Sequence, residues 1–466
     1  MHDPHAARPR TRPRARRRGI APLLALLAAA APGGPLAAQQ FEDAGGDMSF
    51  ALTGDAIITR ALSPFREPEF LRLKELIAGA TAAFTNLEIL FHDYEDDVIP
   101  AAESGGTYMR AEPELARELT WMGFDLVSLA NNHSLDFGVG GARRTIDAAR
   151  AAGLVTAGVG ENLAEARAPG YLETPGGRVA LISIASTFAD GMRAGHQRAD
   201  MRGRPGLSPI RHETRVTLTA GEMDGLRTAV ARWRPGAARG DAISLGGARF
   251  AVGPEPGATT VPHEGDLAEL LEIVREARRQ ADWVIVTSHT HEGAGNRHVP
   301  ADFIVTVARA AIEAGADMFV GHGPHVLRGI EIHDGRPIFY SLANFIFQNE
   351  TVLRQPADNY EAFGLGPHDH PGEFQDVRID AMGGGFPADP AYWESVLAVP
   401  EFRAGALHEV RLYPVTLGHG LDRAVRGRPM LADPELGGRI LTGLVDLSAA
   451  FGTRVSIEDG VGVIRP

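Results

Sequence analysis

Short apolar runs in this chain end repeatedly on side chains that bind metals or move protons. No other feature constrains the fold as tightly. A run over 49–53 stops at Gly54-Asp55, and one over 82–90 carries Asn86 and Glu88 near its end. A run over 124–129 leads into Asn131-Asn132-His133. In the second half, 283–287 leads into His289-Thr290-His291-Glu292, 318–320 into Gly321-His322-Gly323-Pro324-His325, and 337–340 into the stretch ending at Asn344. Helical periodicity fills the intervals at 68–79, 113–122, 140–152, 266–280 and 300–314. Strand, polar loop and helix in repetition is the pattern of an α/β protein. Ligand sites in such sheets lie beyond the carboxyl ends of the strands, where every one of these motifs falls.

The chemistry open to those residues is bounded by what the chain lacks. It has no cysteine, so a metal here has only nitrogen and oxygen ligands and no disulfide can form. Residues 1–19 hold seven Arg against one Asp, an apolar run covers 20–31, and small residues lead to Ala37-Ala38. A basic region, a short apolar region and a small-residue exit are the three parts of a secretory signal peptide. We therefore expect export, with 1–38 as the signal; a basic tail is the alternative. The apolar run is short for a membrane span. Arg17-Arg18 would suit a twin-arginine signal, though the surrounding match is weak. Removing 1–38 takes the net charge from −13 to −19. A surface so acidic argues against nucleic acid as a partner.

The expected organisation is a core domain over 39–355 with an insertion at 187–262. A loop-rich insertion follows over 356–404, and strands and a helix over 405–466 complete the fold. The 187–262 insertion offers one helix, near 220–233. Long irregular stretches inside a compact domain are usually lids or poorly ordered insertions.

Taken singly, each motif has a plain structural reading. Gly54-Asp55 would serve as a turn with an Asx hydrogen bond, Asn86 would cap a turn, and Glu88 would sit on the surface. Asn131-Asn132-His133 is harder to dismiss, because two amides and an imidazole after an apolar strand are costly to bury without partners. His289 and His291, two apart, share a face of an extended chain. His322 and His325 flank a Gly-Pro loop in which both rings can turn inward. Imidazole with carboxylate and amide oxygens suits a pair of divalent ions such as Mn, Zn or Fe. Such a pair clamps an oxyanion and activates water. His133, with Asp136 to orient its ring, is placed to protonate a leaving oxygen; Asp136 would equally open the next helix. His92, His196, His212, His298, His333, His368 and His370 lack this context and read mostly as surface or structural.

The ordered set Gly54-Asp55, Asn86-Leu87-Glu88, 128–138, His289, 321–329 and 340–345 resembles the CapA family of capsule and poly-γ-glutamate biosynthesis proteins, which is similar to the calcineurin-like metallophosphoesterases. The resemblance covers about 50–347. It implies a four-layer α-β-β-α sandwich of metallophosphoesterase type. It also implies a metal-dependent hydrolase in which Asp55, Glu88, Asn132, His289, His322 and His325 hold two divalent ions and His133 is the general acid. Arg204, Arg211 and Asn344 fall in segments that look substrate-facing, and an arginine there would grip a carboxylate or phosphate in two-pronged fashion. The implied partners are a polymer or phosphoester substrate and a capsule synthase complex. A non-catalytic accessory subunit and a small-molecule phosphatase are the competing readings. Four positions depart from the pattern: Ile57 and Gly323 stand where His is frequent, Ala343 where Gly is usual, and His289-Thr290-His291 where His-Trp-Gly is common. His291 is the candidate substitute for a missing ligand.

Overall fold

The structure is a computed structural model describing residues 46–466, apart from 235 and 237. The expected signal segment therefore lies outside the described residues. The fold is mixed α/β with several sheets.

The largest sheet is organised around the strand Met48–Ile57. Its parallel neighbour on one side is Ala82–Leu87, followed by Leu126–Ser128 and Val155–Ala157. Its other edge is shared by two partners in turn. Residues Met48 to Leu52 pair antiparallel with Glu394–Arg403, and Asp55 to Ile57 pair parallel with Asn344–Phe347. The handover occurs at Gly54, where an added Cβ would lie 1.8 Å from the Ala343 carbonyl oxygen. Only a residue without a side chain permits that approach. A second sheet runs in the order Ile330–His333, Arg336–Phe339, Met318–His322, Trp283–His289, Gly177–Ala185 and Gly170–Thr174.

Alternation along the strands explains how the sheets pack. Phe50 and Leu52 point one way and join Phe84, Leu126, Leu181, Trp283, Ile285, Val320 and Phe339 in a core shared by both sheets. Ala51 and Ala56 point the other way, toward Phe70, Leu73 and Ile77 of the helix Pro68–Ala78 and Leu119 and Met122 of Ala116–Met122. On the second sheet, Ile182, Val284, Val286 and Phe319 meet Leu270 and Val274 of Glu264–Arg278 and Phe303, Val307 and Ala311 of Asp302–Glu313. No helix among the described residues is long and apolar enough to cross a membrane.

Two segments hold more structure than their composition suggests. The stretch after 211 forms a four-stranded sheet (Ala242–Leu245, Ala248–Val252, His212–Leu218, Gly257–Pro262) with the helix Ala220–Ala231 and a small core of Met223, Val230 and Ile243. The stretch expected to be loop-rich contains the helices Ala357–Ala362 and Pro371–Ala381, and near its end it forms the inner strand Glu394–Arg403. Strands buried on both faces lack the apolar/polar alternation that marks a half-exposed one. Glu394–Arg403 has Pro400 within it as well, which argues against a strand on sequence grounds alone.

Candidate metal centre

Parallel pairing aligns the motif-bearing ends. Asp55 is in register with Asn86, Asn86 with Ser128, and His289 with His322. The ends of the two sheets thereby deliver Asp55, Glu88, His289, His291, His322 and His325 to one place. Three overlapping sets have ligand atoms within 4.8 Å of one another: Asp55, His289 and His322; Glu88, His289 and His291; and Asp55, Glu88 and His325.

Asp55 is fully buried at the centre. Its Oδ1 accepts from Asn86 Nδ2 at 2.8 Å and its Oδ2 from the Gly323 backbone N–H at 3.0 Å. His322 Nδ1 and His325 Nδ1 each lie 3.3 Å from it. Burial pushes this carboxyl up, but the hydrogen bonds to His322 and His325 and the surrounding imidazoles outweigh it and hold Asp55 well below the usual carboxylate range. Glu88 is the opposite case. It too is fully buried, and neither oxygen has a hydrogen-bond partner among the described residues. His289 Nε2, His325 Nε2 and His133 Nε2 stand 3.7, 3.8 and 4.0 Å away. Burial, then the charges of Asp55 and Asp136, push Glu88 well above its ordinary value.

The imidazoles face each other nitrogen to nitrogen. His289 Nε2 is 2.9 Å from His291 Nε2, and His289 Nδ1 is 3.1 Å from His322 Nδ1. Burial, with the neighbouring rings, holds His289 well down and His291 at about 3, so both are neutral near pH 7. Converging lone pairs, an orphaned carboxylate and the unpartnered Asn132 Oδ1 are a costly arrangement for protein alone. Divalent cations would supply the missing partner, and the donors are the nitrogen and oxygen types that Mn, Zn and Fe accept. The residues fit the ions.

Gly323 accounts for His291. Its φ is +111°, and an added Cβ would come within 2.8 Å of Thr290 N, 3.1 Å of His291 Cδ2 and 3.3 Å of His289 Cδ2. A side chain at 323 and the His291 ring compete for one space. The His291 main chain is fixed from behind by Arg328, itself buried, which donates to the carbonyls of Thr290, His291 and Arg297. Ile57, by contrast, joins the apolar core and lines the cavity, contributing no donor. The non-glycine residues His325 (φ 59°) and Ala343 (φ 60°) sit in the left-handed region, and strain of that kind tends to collect at functional sites.

His133 lies beside this cluster. Its Nδ1 is 2.7 Å from Asp136 Oδ2, and Asp136 is held by the N–H groups of Met109 (2.8 Å) and Gly105 (3.3 Å). The ring is thereby oriented with Nε2 toward Glu88. Cluster and His133 open onto a cavity of about 390 Å³.

Other sequence candidates lie differently. Asn344 is buried with its amide engaged: Oδ1 is 2.8 Å from His325 Nδ1, and Nδ2 donates to the carbonyls of His325 and Tyr392. It positions a histidine rather than facing substrate. Arg211 makes a two-pronged pair with Asp266, and Arg204 donates to the Arg193 carbonyl. Neither arginine lines the cavity, whose guanidinium groups come from Arg297 and Arg378. Glu292 accepts from Ser186 and Thr187 instead of joining the cluster. A cavity of about 370 Å³ elsewhere is lined by Arg278, Asp317 and Arg336, whose charges pair with one another.

Comparison with known proteins agrees with the motif pattern. The profile of the bacterial capsule synthesis protein PGA_cap matches residues 44–349. The uncharacterized protein y4uA of Sinorhizobium fredii is 41% identical over 88% of this chain and 92% of its own length. The PGA biosynthesis protein CapA of Bacillus subtilis is 26% identical over 66% of each chain. The probable polyglutamine synthesis accessory protein Rv0574c of Mycobacterium tuberculosis is 29% identical over 56% of this chain and 51% of its own. Among solved structures, the Haemophilus influenzae NAD nucleotidase overlaps 85% of this chain and 55% of that one at a TM-score of 0.30 and 11% identity, too loosely to carry an argument.

Proposed function

The chain belongs to the bacterial capsule synthesis protein family PGA_cap, and from that membership we propose that it is an exported, metal-dependent hydrolase of phosphoesterase type serving the synthesis or anchoring of a capsular polymer. The three apolar clusters support a helix, sheet, sheet, helix layering of metallophosphoesterase type. The observation that carries the enzymatic reading is Glu88, a fully buried carboxylate with both oxygens unpartnered, among four imidazoles and a second carboxylate.

Asp55, Glu88, Asn132, His289, His291, His322 and His325 would hold two divalent ions. When bound, such ions supply Lewis acidity and an activated water. The protein's own part is positioning and proton transfer. Asp136 keeps His133 Nδ1 occupied, so the proton available to a leaving oxygen is the one on Nε2, at the cavity wall. Asp55, Glu88 and His289 are fully buried, which strengthens the charge interactions among them.

A non-catalytic accessory role in a polymer synthase complex is the second reading, favoured by the naming of the Mycobacterium tuberculosis relative. One experiment separates the two: hydrolysis of phosphomonoesters, phosphodiesters and γ-glutamyl amides by the Mn-, Zn- or Fe-loaded wild type and His133→Ala. Turnover by the wild type that drops about 10²-fold or more in the variant supports the enzyme. Bound metal without turnover of any of these compounds supports the accessory role.

A further inference from the structure

The cavity holds a second set of uncommitted polar groups that the metal centre does not use. Thr107 and Asn349 both line it, both residues are at most 2% exposed, and neither Thr107 Oγ1 nor Asn349 Oδ1 has a hydrogen-bond partner among the described residues. Arg378 lines it too, half-buried, and its guanidinium makes no hydrogen bond or ion pair among the described residues. The charge beside it, Glu350, is already taken by Arg423 and Arg426. Burial outweighs the pull of Glu350 and holds Arg378 below its ordinary value. A cation with no ion pair beside a hydroxyl free to donate is a costly arrangement in an empty pocket and a favourable one around an anion, while the Asn349 oxygen is left to accept from an N–H or O–H of the same ligand.

These residues are built into one wall. Gln355 pairs its side-chain amide with both the N–H and the carbonyl of Tyr108, and Asn359 donates to the Gly106 carbonyl. The loop that carries Thr107 is thus tied to the segment that carries Asn349 and Arg378. That loop also touches the catalytic side, since a Cβ at Gly105 would collide with Asn132 and His133. Phe386 and Tyr392 add aromatic faces to the same cavity. Arg378, Phe386 and Tyr392 all lie beyond residue 349, where the family profile match ends.

We propose that Arg378 and Thr107 form an anion-recognition subsite, with the Asn349 oxygen beside them as an acceptor for a ligand N–H or O–H, separate from the metal ligands, that selects substrates carrying a second anionic group on a flat or apolar body. The proposal rests on the metal-hydrolase reading for what occupies the rest of the cavity. It assigns to the segment after 349 the choice of substrate within a shared chemistry.

Two readouts test it and keep the two failures apart. In the first, calorimetry compares phenylphosphonate, 3-carboxyphenylphosphonate and benzene-1,3-diphosphonate on the metal-loaded wild type, Arg378→Ala and Arg378→Lys. The added anion should tighten binding about tenfold in the wild type, the gain of one charge-assisted pair. Arg378→Ala should abolish that gain and Arg378→Lys should keep part of it. Whether the carboxylate or the second phosphonate gains more tells which anion the subsite prefers. An equal gain in Arg378→Ala, or phosphonate binding with no gain in the wild type, overturns the proposal. In the second, peptide mapping follows phenylglyoxal modification of Arg378 with and without benzoate, in metal-loaded and metal-free protein. Protection in both forms supports the subsite even where no phosphonate binds, a result that would count against the metal centre alone. Absence of protection in both overturns the subsite.

Discussion

Replacing Asp136 by Asn isolates proton transfer from folding. Asp136 Oδ2 accepts from both His133 Nδ1 and Met109 N–H, while Oδ1 accepts only a longer bond from Gly105 N–H. An asparagine oxygen in the Oδ2 position keeps the two shorter bonds and gives up the weak third. The fold should therefore lose only about 1 kcal/mol. What disappears is the negative charge opposite the ring. A hydrogen bond to a charged partner contributes about 1.5–3 kcal/mol, and losing that from the protonated ring in the transition state slows the reaction about 10- to 100-fold. The assay is kcat for two phosphoesters differing only in the leaving group, an alkoxide and 4-nitrophenolate. An alkoxide needs the proton and 4-nitrophenolate hardly does. The loss should be nearly full on the first and small on the second, with metal content unchanged. Equal losses on both esters, or none on the alkyl ester, would refute the assignment of His133 and Asp136 as acid and orienting carboxylate.

Gly54→Ala should destabilise by more than about 3 kcal/mol in denaturant melts, because its Cβ would overlap the Ala343 carbonyl and break the Asp55 N–H bond to it. Gly323→Ala meets both a left-handed φ and the His291 ring, so it should cost about 1–3 kcal/mol and weaken metal binding, read by titration with Mn²⁺. Arg328→Met leaves the carbonyls of Thr290, His291 and Arg297 without their donor; a loss of about 3 kcal/mol or more is expected, with thermal melting as the check. Chelation should lower Tm and reloading should restore it, since ions that bind only the folded chain stabilise it by mass action.

Much of the site could be read from sequence because the fold places it at strand ends. Asp55, Glu88, His289 and His322 follow or close runs of Leu, Ile, Val and Phe that are buried in the sheets, so the polar residue after each run marks the rim. What could not be read was direction. Asn344 closes such a run yet turns its amide onto His325, and Arg211 turns to Asp266; a motif states position along a strand, not where a side chain finds its partner. Thr107, Asn349 and Arg378 carry no local signal at all, because they meet through pairings such as that of Gln355 with Tyr108 across 247 positions. The small inserted sheet did leave a trace. Gly246-Gly247, both at positive φ between Ala242–Leu245 and Ala248–Val252, is the two-residue turn of a β-hairpin.

The central claim is that the cluster around Asp55 and Glu88 holds two divalent ions. Metal analysis by mass spectrometry on protein loaded with Mn, Zn or Fe and then freed of excess tests it directly. The account predicts about two ions per chain in the wild type and fewer than one in Asp55→Asn, with His291→Ala losing one of the pair. A wild type that retains no ion, or an Asp55→Asn variant that retains as much as the wild type, would contradict it.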